Sequence, residues 1–99
     1  MPIFVLLSTL TSEGRKTIKE KPERLKEVNK EIEALGAKVL QQYAVLGPYD
    51  FLNIVEAPSI EALTRVSIEL GSRGTIQIMS MPATPIDDFL KSLKKQPTK

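Results

Sequence analysis

The sequence predicts an α+β domain in which a four-stranded antiparallel sheet carries two helices on one face, with an added C-terminal helix. Four short apolar segments have the length of strands, and two longer segments between them repeat apolar residues at helical spacing. Glycine or proline stands at most of the borders between these segments. A chain of 99 residues suits one domain, which we place at residues 1–95, with a disordered tail at 96–99.

The first part of the chain predicts a strand followed by a helix. Ile3 to Leu10 is a nearly continuous apolar run, which is typical of a buried strand. A short helical turn over 15–21 leads to Pro22, where a helix can begin because its missing N–H would be unpaired there. One apolar stripe then follows at Leu25, Val28, Ile32 and Leu35, and Gly36 ends the helix.

A hairpin is predicted at the centre of the chain. The strands Val39 to Leu46 and Phe51 to Glu56 are joined by Gly47-Pro48-Tyr49-Asp50, and Pro48 suits the second position of a tight turn. In a purely structural interpretation, Tyr49 packs at the tip. Asp50 then accepts hydrogen bonds from nearby backbone N–H groups, as Asx residues do in turns.

The second half predicts a helix, a strand and a terminal helix. Ser59 is a suitable N-cap for a helix that ends at Gly71, and Thr75 to Met81 is the fourth strand. Thr84 and Asp87 have the spacing of a capping box. The two helical stripes are Leu63, Val66 and Leu70, then Ile86, Phe89, Leu90 and Leu93. The order β-α-β-β-α-β is the ferredoxin-like arrangement, in which right-handed crossovers place both main helices on one face.

Both faces of the predicted sheet carry large apolar side chains, although helices cover only one of them. We assign to the open face Ile3, Val5, Leu7, Phe51, Val55, Met79 and Met81. Such a patch is too large for a soluble monomer to leave in water. The C-terminal helix could cover part of it, and a second copy packed face to face would cover more. The sequence therefore predicts a homodimer or higher homo-oligomer through the open sheet face.

Composition excludes several classes of function. The chain has no cysteine and no histidine, and no P-loop, dinucleotide fingerprint or metal-spaced cluster, so we expect no cofactor and no metal. The net charge of +2 arises from four lysines in the last nine residues, whereas residues 1–90 carry a balance of −2. We therefore expect no nucleic-acid partner. No apolar run could span a bilayer, so we expect no membrane partner and a cytoplasmic location.

A first strand and four motifs that follow it in a fixed order resemble the GYD-domain family. The four motifs are IKEKPERL at a helix start (Ile18 to Leu25), Gly-x-Tyr-Asp (Gly47 to Asp50), Ile-Val-Glu-Ala-Pro (Ile54 to Pro58) and Leu-Gly-Ser-x-Gly (Leu70 to Gly74). The resemblance covers residues 2 to 90. It implies a small bacterial or archaeal protein with a ferredoxin-like fold of the dimeric α/β-barrel type, and no established reaction. Pro48 stands where the family motif suggests a more polar residue, which favours a turn role.

Four residues are candidates for ligand binding: Tyr43, Tyr49, Asp50 and Asn53. They would supply the polar groups of an otherwise apolar pocket on the open sheet face. The favoured function is an oligomeric small-molecule-binding or sensory module, with a small apolar ligand. A cofactor-free isomerase or monooxygenase-like enzyme, with unassigned catalytic residues, and a protein-interaction module are the alternatives.

The loop Gly71-Ser72-Arg73-Gly74 offers a weaker candidate site. Its GxxG pattern matches the loop that clamps nucleic-acid backbones in KH domains, but that loop joins two helices and this one leads into a strand. A flexible end of a helix explains the pattern. The alternative is a loop that holds a phosphate through Arg73 and backbone N–H groups.

Overall fold

The computed structural model describes residues 1–94, so the predicted tail at 96–99 lies outside the described residues. The elements are β1 (Ile3–Leu10), α1 (Ser12–Glu20), α2 (Arg24–Ala34), β2 (Lys38–Ala44), β3 (Phe51–Glu56), α3 (Ile60–Gly71), β4 (Ile76–Ala83) and α4 (Ile86–Lys94). The strands form one antiparallel sheet in the order β2-β3-β1-β4. The predicted ferredoxin-like arrangement with an added C-terminal helix is confirmed.

Helix α1 begins at Ser12, three residues before the predicted turn, because Thr11 caps it. The Thr11 hydroxyl accepts from the Gly14 N–H at 3.1 Å and donates to the Gly74 carbonyl at 2.9 Å. Gly14 is buried, and a Cβ at this position would overlap the carbonyl oxygen of Thr75. Glycine at this position therefore lets α1 approach the start of β4 closely.

The central hairpin differs from the predicted one in length and in alternation. Strand β2 ends at Ala44, and a six-residue connection, 45–50, replaces the predicted four-residue turn. Gly47 in this connection has a φ of 126°, a conformation that favours glycine. The register also shifts between Val39 and Gln41, which is a β-bulge at Leu40. Beyond the bulge, even-numbered residues of β2 share a face with Val39.

The hydrophobic core lies between the sheet and the helices α2 and α3. The strands contribute Phe4, Leu6 and Val55, and the helices contribute Ile32, Leu63, Val66 and Leu70. Burial of a side chain the size of leucine contributes about 1.5–3 kcal/mol. The predicted helix ends are confirmed at two places: Ser59 accepts from the Ala62 N–H at 3.1 Å, and Gly36 has a φ of 96°.

The predicted open face is correct for β1 and β4 and wrong for β3. Val55 pairs with Phe4 across the ladder and is fully buried against the helices, and Phe51 is on the same side. Their neighbours Leu52 and Ile54 occupy the open face instead, opposite Leu7 and Val5. The open apolar face, as the structure has it, consists of Ile3, Val5, Leu7, Leu52, Ile54, Met79 and Met81.

Helix α4 extends away from the body of the domain. None of its residues is buried, and its apolar side chains Ile86, Phe89, Leu90 and Leu93 are 46–66% exposed. The described chain is correspondingly elongated, with extents of 55 × 28 × 19 Å. The idea that α4 covers part of the open face is therefore wrong for a single chain. No helix within residues 1–94 is long and apolar enough to cross a membrane.

Candidate functional site

A cavity of about 140 Å³ lies on the helix face of the sheet, under α1 and α2. It forms because α2 packs mainly on β2 and α3 mainly on β4, which are the two edge strands. The central strands β1 and β3 are therefore less covered between the two helices. The apolar part of the wall includes Leu6, Ile18, Leu25, Val28, Ile32 and Phe51.

Neutral polar side chains also line this cavity. Asn29 of α2 and Gln42 of β2 exchange two amide hydrogen bonds of 2.9 and 3.3 Å. Asn53, on the central strand β3, is only 8% exposed, and its Oδ1 accepts no hydrogen bond from any described residue. An unpaired buried acceptor costs about 1–3 kcal/mol. Asn53 is therefore a polar group that the packing of the described chain does not explain.

An ionic cluster stands on the solvent side of the cavity. Arg24 lies 3.2 Å from Glu27 and 3.6 Å from Glu31, and Arg73 donates a hydrogen bond to the same Glu31 carboxylate. The Arg73 hydrogen bond is the main cause that lowers the pKa of Glu31 below its usual value, and Glu31 in turn raises the pKa of Arg73. Because Glu31 already engages Arg73, the geometry gives no support to a phosphate site in the 71–74 loop.

Asp50 joins the connection at 45–50 to the end of β1 through hydrogen bonds. Its Oδ2 accepts from the Leu10 N–H at 2.8 Å and lies 3.9 Å from the Arg15 guanidinium. The Asp50 N–H donates to the Ser8 carbonyl at 2.8 Å. The predicted acceptance of backbone N–H bonds is present, but the donor is forty residues away rather than within a local turn. These bonds give Asp50 a structural role.

The four predicted ligand-binding residues do not meet in one pocket. Tyr43 lies on the open side of the sheet and is 51% exposed. The Tyr49 hydroxyl approaches the Met79 sulfur of that side at 3.8 Å, a weak hydrogen bond. Asn53 faces the opposite side, under the helices, and Asp50 lies at the end of β1. Their ligand-binding role stays a prediction, and Asn53 alone lines the cavity.

The sequence interpretation missed several polar residues of the cavity, among them Ser8, Asn29 and Gln42. Ser8 had a usable signal, because it follows Phe4 and Leu6 at the period of two that marks a buried face. Gln42 had none, since the bulge at Leu40 decides which way it points. Among residues 1–94, no group of three carboxylate side chains comes together to hold a metal ion.

These features define a small ferredoxin-like α+β domain with a partly polar cavity under its helices and an uncovered apolar sheet face. The chain belongs to the GYD-domain family, whose model matches residues 4–93. It is also 48% identical to the "Glutamine synthetase and cystathionine beta-lyase binding protein" of Thermus thermophilus. That match covers 95 residues, which are 95% of this chain and 100% of the relative.

Solved structures of more distant proteins share the fold. A protein of Thermus thermophilus superposes with a TM-score of 0.56 and 21% identity, over 86% of this chain and 95% of the other. A hypothetical protein of Pyrococcus horikoshii superposes with a TM-score of 0.54 and 23% identity, over 86% of this chain and 92% of the other. At such identity these structures establish the fold alone.

Proposed function

We propose that this chain is a protein-interaction module that self-associates through its open apolar face and binds glutamine synthetase, cystathionine β-lyase or both. The observation that carries the proposal is the 48% identity to the Thermus thermophilus binding protein. The match covers the whole length of that relative, so the complete binding protein, rather than a shared fragment, corresponds to this chain.

The open apolar face supports self-association. The ladder places Val5 between Ile54 and Met81, and the next apolar row places Leu7 between Leu52 and Met79. These rows form a contiguous apolar surface across three strands. Two sheets of this kind pack face to face at about 10 Å, which excludes water from both. A second copy of the chain fits best because a two-fold axis supplies the same apolar surface to both sides.

The position of helix α4 also supports self-association through the open apolar face. It begins three residues after the end of β4, the edge strand whose Met79 and Met81 belong to the open apolar face. Its exposed stripe therefore starts at the border of this face, where a second chain would bury it. Tyr43 and Tyr49 also border the face, so a small-molecule pocket there would form only under the cover of the second chain.

Self-association is tested by replacing Met79 with lysine. Met79 is 49% exposed on the open apolar face, whereas Ile68, the control, is 69% exposed on α3. In analytical ultracentrifugation of the full chain we expect a wild-type dimer, a dimer for Ile68→Lys and a monomer for Met79→Lys, because a lysine would be buried in the dimer without a partner. A wild-type monomer at tens of micromolar would contradict the self-association.

Enzyme binding is tested with purified glutamine synthetase and cystathionine β-lyase from the source organism of this chain. We expect saturable binding of the full chain to one or both enzymes in biolayer interferometry. An unrelated oligomeric enzyme of similar size serves as the control. Absence of binding to both enzymes, with the chain folded, would refute the interaction role and leave the self-association standing.

A further inference from the structure

We propose that the cavity under α1 and α2 binds a small neutral molecule that is mostly apolar and donates one hydrogen bond to Oδ1 of Asn53. This site lies on the opposite side of the sheet from the open apolar face. It is therefore independent of the proposed self-association, and both can be occupied at once.

Asn53 is the observation that points to a ligand. Its side chain is 8% exposed, and Oδ1 accepts no hydrogen bond from the described residues. The equivalent positions two residues away on β3, Phe51 and Val55, are apolar and buried. An apolar residue would therefore suit this face of the strand, and the amide oxygen there lacks the donor that a buried acceptor normally has among residues 1–94.

The size of the cavity limits the ligand. Its volume is about 140 Å³. An apolar protein cavity of about 150 Å³ accommodates benzene, so a ligand of roughly six to eight non-hydrogen atoms fits here. Side chains such as Leu25, Val28 and Ile32 supply the apolar contacts on the helix side.

The charges around the cavity favour a neutral ligand. Four polar residues of the lining, namely Ser8, Asn29, Gln42 and Asn53, are uncharged. The lining arginines, Arg24 and Arg73, both pair with Glu31 on the solvent side. An ion inside would lose its hydration without gaining a free counter-charge. A single O–H or N–H group on an apolar body matches this environment.

Phenol and toluene form a matched pair of probes, because they have the same size and only phenol carries a donor. We expect the wild-type chain to bind phenol about 3–10-fold more tightly than toluene, the range that one net hydrogen bond supplies. Titrations followed by ¹H–¹⁵N correlation spectra give the dissociation constants. They should also show shifts at cavity residues such as Ser8 and Ile32 rather than at Val5 and Met79.

The variant Asn53→Leu should reverse the preference, so that toluene binds more tightly than phenol. If Asn53→Leu does not fold, Val28→Phe, which fills the cavity from α2, should abolish the binding of both probes. Three results would overturn the site: no saturable binding of either probe to the wild-type chain, an unchanged phenol preference in Asn53→Leu, or binding unchanged in Val28→Phe.

Discussion

The two faces of the sheet differ in what covers them and in how polar they are. The face that the helices cover includes buried polar side chains, whereas the face without helices is largely apolar. On the helix face, Phe4, Leu6 and Val55 are buried by helices of the same chain, yet Ser8 and Asn53 lie among them. On the open face, Val5, Leu7 and Ile54 form continuous apolar rows with no helix of the described chain over them. A sheet with one solvated face would normally be polar on that face.

This difference is the reason for proposing different partners for the two faces. A broad, largely apolar surface gains most from a partner of similar shape and size, such as a second sheet. A small cavity with one unpaired acceptor selects instead for a small ligand with a donor. One face therefore suits protein association and the other suits small-molecule recognition.

Leu6 and Leu7, which are adjacent in β1, provide the test of this comparison with the largest expected effect. Leu6 is 1% exposed on the helix face, whereas Leu7 is half-buried on the open face. We expect Leu6→Ala to lower the free energy of unfolding by about 2–5 kcal/mol, because it leaves a cavity in the core. Urea denaturation measures this loss, and it should be the same at low and high protein concentration.

Leu7→Ala is the matched variant. Because only the part of Leu7 that stays exposed in the single chain would be buried by a second copy, its cost in dilute solution should be smaller than that of Leu6→Ala and should change with protein concentration. Equal and concentration-independent losses for Leu6→Ala and Leu7→Ala would show that the chain itself covers both faces.

A second test concerns how closely the helix layer approaches the sheet. A methyl group at Gly14 would overlap the Thr75 carbonyl, so we expect Gly14→Ala to cost about 1–3 kcal/mol in urea denaturation. Gly71, at the end of α3, has no neighbouring atom within 4 Å of an added Cβ. Gly71→Ala should therefore be neutral or stabilising by up to about 1 kcal/mol. Similar losses at both glycines would argue against the close approach of α1.

The smallest effect is expected at the ion pair above the cavity. Glu31→Gln should cost under about 1 kcal/mol, because the Glu31–Arg73 pair is partly exposed and screened by water. The pKa of Glu31 lies below its ordinary value of 4.5, so its contribution is complete above that pH and is lost as the pH falls through the lower, folded-state pKa.

The stability difference between wild type and Glu31→Gln should accordingly shrink from about pH 7 to about pH 3. Glu33→Gln, at an exposed position of the same helix, is the control and should show no comparable change. A difference that persists unchanged at the acidic pH would mean that the charge of Glu31 contributes nothing.

Residue patterns close to one another in the chain were sufficient for most of the fold. The stripe from Leu25 to Leu35, the Ser59 cap and the glycine at 36 each act within a few residues, so the sequence predicts them directly. The candidate site was only partly predictable. The sequence predicts Asn53 as a ligand-binding residue, but the cavity that it lines requires contributions from α1, α2 and both central strands.

The sequence by itself determined the order of strands and helices and the presence of an apolar set on each face of the sheet, because both follow from periodicity. Tertiary structure decided which of the two alternating sets of side chains on β3 faces the helices. Phe51 and Val55 are as apolar as Leu52 and Ile54, so only the pairing of β3 with β1 distinguishes the two sets. It also decided the direction of Gln42, because a single bulge reverses the alternation of β2. Long-range pairing sets both outcomes, and no local pattern encodes it.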